Sequence, residues 1–200
     1  PTLVQSGIAG VAYKTNDTDQ DGFLSESVNG LIKAKEGTYS LWLLTPDADR
    51  TWWDYWSLKY NHESNTYLRF MSSNNDYAYL SLKRLGVDAS PNNFWGSSTD
   101  LADGIWKFVT FTISNGQIKC YVNGTEESSS QNNWFFPGKD TISGIVLGKG
   151  FNSGSPRTTF DEATFSTVKR SVDWVAASFN NQKTDQSSNP YLNFGNLVGP

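Results

Sequence analysis

The stretch "GIWKFVTFTISNGQIKCYVNG", Gly104 to Gly124, decides how the rest of the chain is read. Two runs in which apolar and polar residues alternate flank Asn115-Gly116. Alternation places every second side chain on one face of a strand, and an Asn-Gly pair takes the positive φ of a tight two-residue turn. The stretch therefore predicts an antiparallel β-hairpin. Its neighbours follow the same period. "GTYSLWLLTPD" (Gly37 to Asp47) is an extended run ended by Pro46, and "WWDYWSLKY" (Trp52 to Tyr60) follows the turn "DADR". "NTYLRFMSS" and "DYAYLSLKR" predict two strands around Ser73 to Asp76, and "TISGIVLGKG" and "TTFDEATFS" two more.

One segment departs from the period of two. Val168, Val172, Val175, Ala176 and Phe179 recur at helical spacing, and Ser171 stands where a cap would. A short helix is expected from Ser171 to Asn180. The tail is polar at first and is expected to end in one more strand, Tyr191 to Val198. Two long segments, Gly86 to Gly104 and Gly124 to Asp140, read as polar loops carrying large aromatics: Phe94 and Trp95 in the first, Trp134, Phe135 and Phe136 in the second. Long loops in a compact β domain tend to carry function.

Composition agrees with an all-β domain: 8 Trp, 9 Tyr and 12 Phe among 200 residues, with only 18% charged. The formal net charge is −4 and the basic residues are scattered, which argues against nucleic acid as a partner. No apolar run reaches membrane-spanning length, so no membrane insertion is expected. The first residues do not read as a signal peptide, as would hold equally for a mature or excised fragment. A single cysteine, Cys120, excludes an internal disulfide. The one histidine, His62, lies in the loop "YNHESN" beside Glu63, with no second His or Cys to complete a metal site and no nucleophile elbow to serve. Asn16-Asp17-Thr18 and Asn123-Gly124-Thr125 fit the N-glycosylation pattern, which arises often by chance.

The order of "SLWLLTPD", "GIWKFVTFTISNGQIKCYVNG" and "TTFDEATFSTVKRSVDWVAASFNNQ" resembles the laminin-G-like, concanavalin-A-like jelly-roll family, in its bacterial and archaeal surface-protein form. The resemblance runs over roughly residues 7 to 182. It implies an all-β fold: a two-sheet antiparallel β-sandwich of the lectin and glucanase type with one short C-terminal helix, over residues 1–186, and a tail, 187–200, that could complete a sheet. It places Trp42, Phe108, Phe111, Ile118, Tyr121 and Phe165 near the core. "SGIAGVAY" (Ser6 to Tyr13) matches a family segment that normally follows a first strand, and here little precedes it, so that strand is expected to be missing unless the tail or another chain fills its place.

Sugar recognition needs flat apolar faces, with amides or carboxylates for the hydroxyls. "RTWWDYW" puts Trp52 and Trp56 on one face of a strand and Trp53 and Tyr55 on the other, so that one set is core and the other open. With the loop aromatics and their asparagines, the candidate ligand set is Trp52, Trp53, Tyr55, Trp95, Asn132 and Trp134. The competing reading is that the loop aromatics anchor their loops by burial. "NDTDQDG" (Asn16 to Gly22) begins like an EF-hand loop, but position twelve, counted with Asp17 as position one, is Val28 rather than a bidentate Glu, so that geometry fails. What is left is a hydrated turn or a cation site of another geometry. The resemblance implies a calcium ion, with Asp17, Asp19, Asp21 and Asp161 as candidate ligands. A retaining glycosidase needs two carboxylates about 5 Å apart, yet Asp161 and Glu162 are adjacent and no paired-carboxylate pattern exists. The expectation is a non-catalytic binding module of a secreted, cell-surface or virion-surface protein, joined to other domains of a longer chain and recognising carbohydrate. A structural or protein-adhesive module is the alternative.

Overall fold

The structure, a computed structural model, describes residues 2–8, 10–15, 23–25, 36–46, 54–60, 67–72, 77–84, 87–131, 142–149 and 157–183. Among them the strands run β1 (Thr2–Gly7), β2 (Gly10–Lys14), β3 (Phe23–Ser25), β4 (Glu36–Leu44), β5 (Asp54–Tyr60), β6 (Tyr67–Ser72), β7 (Tyr77–Arg84), β8 (Val87–Asp100), β9 (Lys107–Ser114), β10 (Gln117–Val122), β11 (Thr125–Gln131), β12 (Ile142–Leu147) and β13 (Thr159–Ser166), followed by the helix α1 (Val172–Gln182). They form two antiparallel sheets, one of seven strands in the order β1-β2-β13-β4-β9-β10-β11 and one of six in the order β3-β12-β5-β6-β7-β8. This is a β-sandwich with one short helix.

The opening stretch folds as its pattern predicts. Ser114 faces Gln117 across the β9–β10 turn, where Asn115 and Gly116 take φ of 49° and 81°. Alternation along β4, β9 and β10 sends Tyr39, Leu41, Leu43, Val109, Phe111, Ile113, Ile118 and Cys120 into the space between the sheets, against Trp56, Leu58, Leu68 and Phe70 from the other side. Burial of each large side chain contributes about 1.5–3 kcal/mol, which makes this layer the main source of stability. Aromatic rings meet there at edges, as Tyr39 does with Trp56 at 5.5 Å and Phe70 with Phe111 at 5.0 Å.

The six expected core aromatics and aliphatics are divided between two layers. Phe111 and Ile118 lie between the sheets and Phe165 packs partly buried against them. Trp42, Phe108 and Tyr121 point to the other face of the seven-stranded sheet, where α1 covers them with Val175 and Phe179. Ser171 caps the helix by accepting the Trp174 amide proton at 3.2 Å, and near the far end Gln182 Oε1 accepts from Trp42 Nε1 at 2.7 Å. Gly124, at φ +80°, brings the β10–β11 turn against the helix, where an added Cβ would lie 3.2 Å from Ala176 and Phe179.

Three expectations change. Gly86 to Gly104 is mostly strand: β8 pairs with β7 and ends the six-stranded sheet. Pro91 is tolerated there because an edge strand leaves one row of backbone groups unpaired, and the β7–β8 register breaks at this point, between Ser81↔Asn93 and Lys83↔Asp88. The second polar segment likewise begins with β11, the outer partner of β10. At the N-terminus, residues before "GVAY" do form a strand: β1 pairs with β2 through Leu3↔Tyr13 and Val4↔Ala12. The tail 184–200 lies outside the described residues, as do the reading of Tyr191 to Val198 as a strand and the position of His62.

β13 lies between β2 and β4 in the seven-stranded sheet. Its root is fixed by a buried hydroxyl cluster: Thr15 Oγ1 donates to the Thr158 carbonyl at 3.1 Å, and the hydroxyls of Thr45 and Thr158 lie 2.9 Å apart. Gly148, at φ +74°, closes over this cluster; a Cβ there would come within 2.6 Å of Thr15 Cγ2.

Candidate functional site

The arrangement of the six-stranded sheet turns on one extra residue. Asp54 pairs with Met71 and Trp56 with Phe70, so Tyr55 has no partner across the strand and β5 carries a bulge. A bulge breaks strict alternation. Tyr55 and Trp56 both turn inward, at 1% and 0% exposure, and Tyr55 packs on Phe70 at 4.9 Å and on Phe160. The expectation that the two sit on opposite faces fails for this reason, and Tyr55 is a core residue, removed from the ligand set.

The same bulge brings Asp54 and Ser57 onto the outer face of the sheet. Cross-strand register sets out two rows there. Asp54, Met71, Tyr79 and Trp95 follow one another across β5, β6, β7 and β8. Beside them run Ser57, Arg69, Ser81 and Asn93. Within these rows Arg69 Nη1 lies 3.7 Å from Asp54 Oδ1, with side-chain exposures of 10% and 0%. Removing two charges from water costs several kcal/mol each, and the interior of this domain is apolar. The pair is buried on the face of the six-stranded sheet turned away from that core, with buried Met71 and Tyr79 alongside. Ser57 Oγ is buried next to it and has no hydrogen-bond partner among the described residues. Asp54, Ser57, Arg69, Met71 and Tyr79 are all buried, so together they make a packed polar layer on this face. Asp54 and Arg69 were absent from the candidate set. The signal was available: a carboxylate inside "WWDYW" and an arginine inside "YLRFMSS" are charges inside apolar strands.

Trp95 stands in β8 opposite Tyr79, in the same row as Asp54. Trp52, Trp53, Asn132 and Trp134 lie outside the described residues, and so do Asp17, Asp19 and Asp21. Asp161 is opposite Trp42 in β13, and its carboxylate accepts the Glu162 amide proton at 2.9 Å. Three strand residues, about 10 Å, separate it from Thr158, the residue bonded to Thr15 at the root of the aspartate segment. Among the described residues no group of three or more His, Cys, Asp or Glu side chains gathers to hold a metal ion. Glu162 adopts φ +48° at the bulge where the β13–β4 register slips between Asp161 and Thr164. No described helix is long and apolar enough to cross a membrane.

Elsewhere, burial raises the Cys120 thiol well above its ordinary range, and burial raises Tyr39 and Tyr121 as well. These groups are neutral and structural.

The family model described as the concanavalin A-like lectin/glucanases superfamily (Laminin_G_3) matches residues 17–176. No curated protein shows significant sequence similarity to the chain. Solved structures of similar fold include the binding domain of Paraclostridial Mosquitocidal Protein 1, at TM-score 0.70 and 17% identity, covering 90% of this chain and 45% of that one. Domain 4 of an extracellular arabinanase from Geobacillus stearothermophilus, solved with arabinotriose, matches at TM-score 0.64 and 21% identity, over 88% of this chain and 80% of that one. Trypanosoma rangeli sialidase matches at 0.64 and 13%, over 84% of this chain and 27% of its own. The chain thus spans about half of the toxin domain structure and about a quarter of the sialidase. Both binding domains and a domain within an enzyme share the fold.

Proposed function

The chain belongs to the concanavalin A-like lectin/glucanases superfamily, and on that premise we propose that it is a non-catalytic carbohydrate-binding module of a secreted or surface protein. The observation that carries this reading is the family match over residues 17–176 together with the two-sheet antiparallel sandwich that the chain forms. Sugar hydroxyls both donate and accept, and ring C–H faces lie on aromatic surfaces, side-chain types in which this chain, with 8 Trp and 9 Tyr, is rich. The arabinanase domain with its bound arabinotriose is a precedent for sugar binding on this fold. The non-catalytic part of the proposal rests on the carboxylates. Asp54 is engaged with Arg69, and Asp161 bonds its neighbour's backbone on the other sheet, so these two do not form the closely spaced pair that glycoside cleavage uses.

A glycan array probed with the whole chain tests the reading. Binding to one class of oligosaccharide, without release of shorter products on incubation, is the expected result. Cleavage of a soluble polysaccharide would overturn the non-catalytic assignment, and an empty array would favour a protein-adhesive module. Calcium on Asp17, Asp19 and Asp21 is a separate proposal that rests on their spacing. A ligand that binds only the native state raises the melting temperature, so melts in EDTA and in added calcium decide it. An unchanged melt would leave a hydrated turn.

A further inference from the structure

The two ends of β10 carry the same dipeptide, Asn115-Gly116 at one and Asn123-Gly124 at the other. Both pairs take the same left-handed backbone, with φ of 49° and 81° in the first and 50° and 80° in the second. Asn before Gly is prone to attack on its own side chain, because the glycine has no Cβ to obstruct the approach. The glycine nitrogen bonds to the asparagine Cγ and gives up its proton, and the side-chain nitrogen leaves as ammonia. Water then opens the succinimide ring at either carbonyl. One opening leaves aspartate; the other leaves isoaspartate, with the main chain routed through Cβ and Cγ. We infer that the folded chain undergoes this deamidation at Asn115 and suppresses it at Asn123.

Closing the ring turns the carboxamide and the following peptide against each other, and at Asn123 both are held. Asn123 Oδ1 accepts the Phe108 amide proton at 3.0 Å, while the Asn123 amide donates to the Phe108 carbonyl at 2.8 Å. The side chain thus stands in for a strand carbonyl beside β9. Gly124 lies against α1, where an added Cβ would come within 3.2 Å of Ala176 and Phe179. Reaction there needs the bonds to Phe108 broken and the turn drawn out from under the helix, a local opening that costs free energy. At the other end of β10, Asn115 is exposed, so ammonia leaves and water enters without such an opening. Gly116 is buried, but its nitrogen is delivered to Asn115 by the chain itself and needs no access from solvent. An isoaspartate at position 115 adds one main-chain atom and one negative charge to the two-residue turn, and so strains the register that begins at Ser114↔Gln117. A third such pair, Asn29-Gly30, lies outside the described residues.

The test is an ageing series on the whole chain in neutral to mildly alkaline buffer, read by tryptic peptide mapping with enzymatic methylation to mark isoaspartate. Cleavage after Lys107, Lys119 and Lys139 puts Asn115 and Asn123 on separate peptides. In the folded chain Asn115 should be modified about tenfold faster than Asn123 or more. In denaturant the two rates should come within about threefold of each other, since the contacts that separate them are gone. Phe179→Ala removes one of the groups packed on Gly124, and it should raise the rate at Asn123 severalfold while leaving that at Asn115 unchanged. If that variant does not fold, the native and denatured rates of the unaltered chain still decide the matter. Equal rates in the folded chain would overturn the inference. So would an Asn115 that stays intact when folded and reacts in denaturant, or a gap that persists in denaturant and therefore belongs to local sequence.

Discussion

The carboxylate of Glu127 holds the end of a strand in the opposite sheet through Thr99: it accepts the Thr99 amide proton at 3.3 Å, the Thr99 hydroxyl proton and, from the next residue, the Ser98 amide proton at 3.1 Å. Glu127 is in β11 and Thr99 in β8, the last strands of their sheets, so these bonds tie the two layers at one edge. The Ser128 hydroxyl adds a bond to the Gly96 carbonyl. Gly96 has no room for a side chain, since a Cβ would meet Cys120 Sγ and Phe111 at 3.0 Å. Replacing Glu127 with alanine leaves these donors to find water, at a cost of about 1–3 kcal/mol. Urea unfolding of the variant measures this directly, and an unchanged midpoint would show that the edge closes without it.

Tyr55 and Trp95 should separate stability from binding. Tyr55→Ala removes a buried ring from the main core and should cost about 3–5 kcal/mol. Trp95→Ala should leave the melting temperature within a few degrees and remove sugar binding. Paired melts and binding titrations check both, and a large loss of stability in the Trp95 variant would make that residue an anchor.

Gly148→Ala should destabilise strongly for its size. The backbone sits at φ +74°, and the new methyl group would press on Thr15 Cγ2 and Phe160. Left-handed backbone strain and overpacking together amount to about 2–4 kcal/mol. Thermal melting of the single variant tests it, and a neutral result would show that the Thr15–Thr158 cluster can shift.

Alkaline pH should weaken the fold. Cys120, Tyr39 and Tyr121 keep their protons in the folded state at pH values where the unfolded chain has lost them. The native state then binds more protons than the unfolded one, so stability is complete below the ordinary thiol and phenol range and falls as pH rises through about 9 to 10 and beyond. Denaturant midpoints taken from pH 7 to 11 should decline over that window. In the same series Cys120 should resist thiol reagents until the chain unfolds.

The sandwich was legible wherever burial imposes a period of two. β4, β9, β10 and α1 with its Ser171 cap follow their sequence patterns because one face of each must be apolar. β8 and β11 were not legible. "VDASPNNFWGSSTD" and "TEESSSQ" carry little strand propensity, and they are strands because β7 and β10 offer them backbone partners. The Asp54–Arg69 cluster was hidden for a different reason. One unpaired residue at position 55 reverses which face each later side chain takes, and nothing in "WWDYW" announces it. That reversal moved Tyr55 inward and left Asp54 outside, opposite the strand that carries Arg69.

The position of β13 between β2 and β4 also sets an order of events during synthesis. The hydroxyl of Thr15 waits for the carbonyl of Thr158, 143 residues later. On the ribosome the β9–β10 hairpin can form as soon as it emerges, since its contacts are local, and β4 can join it. The β1–β2 hairpin has no place in the sheet until β13 arrives to bridge it. Until then its strand edges stand open to other chains, which makes slow translation, or interruption before residue 166, the circumstance under which this protein would aggregate.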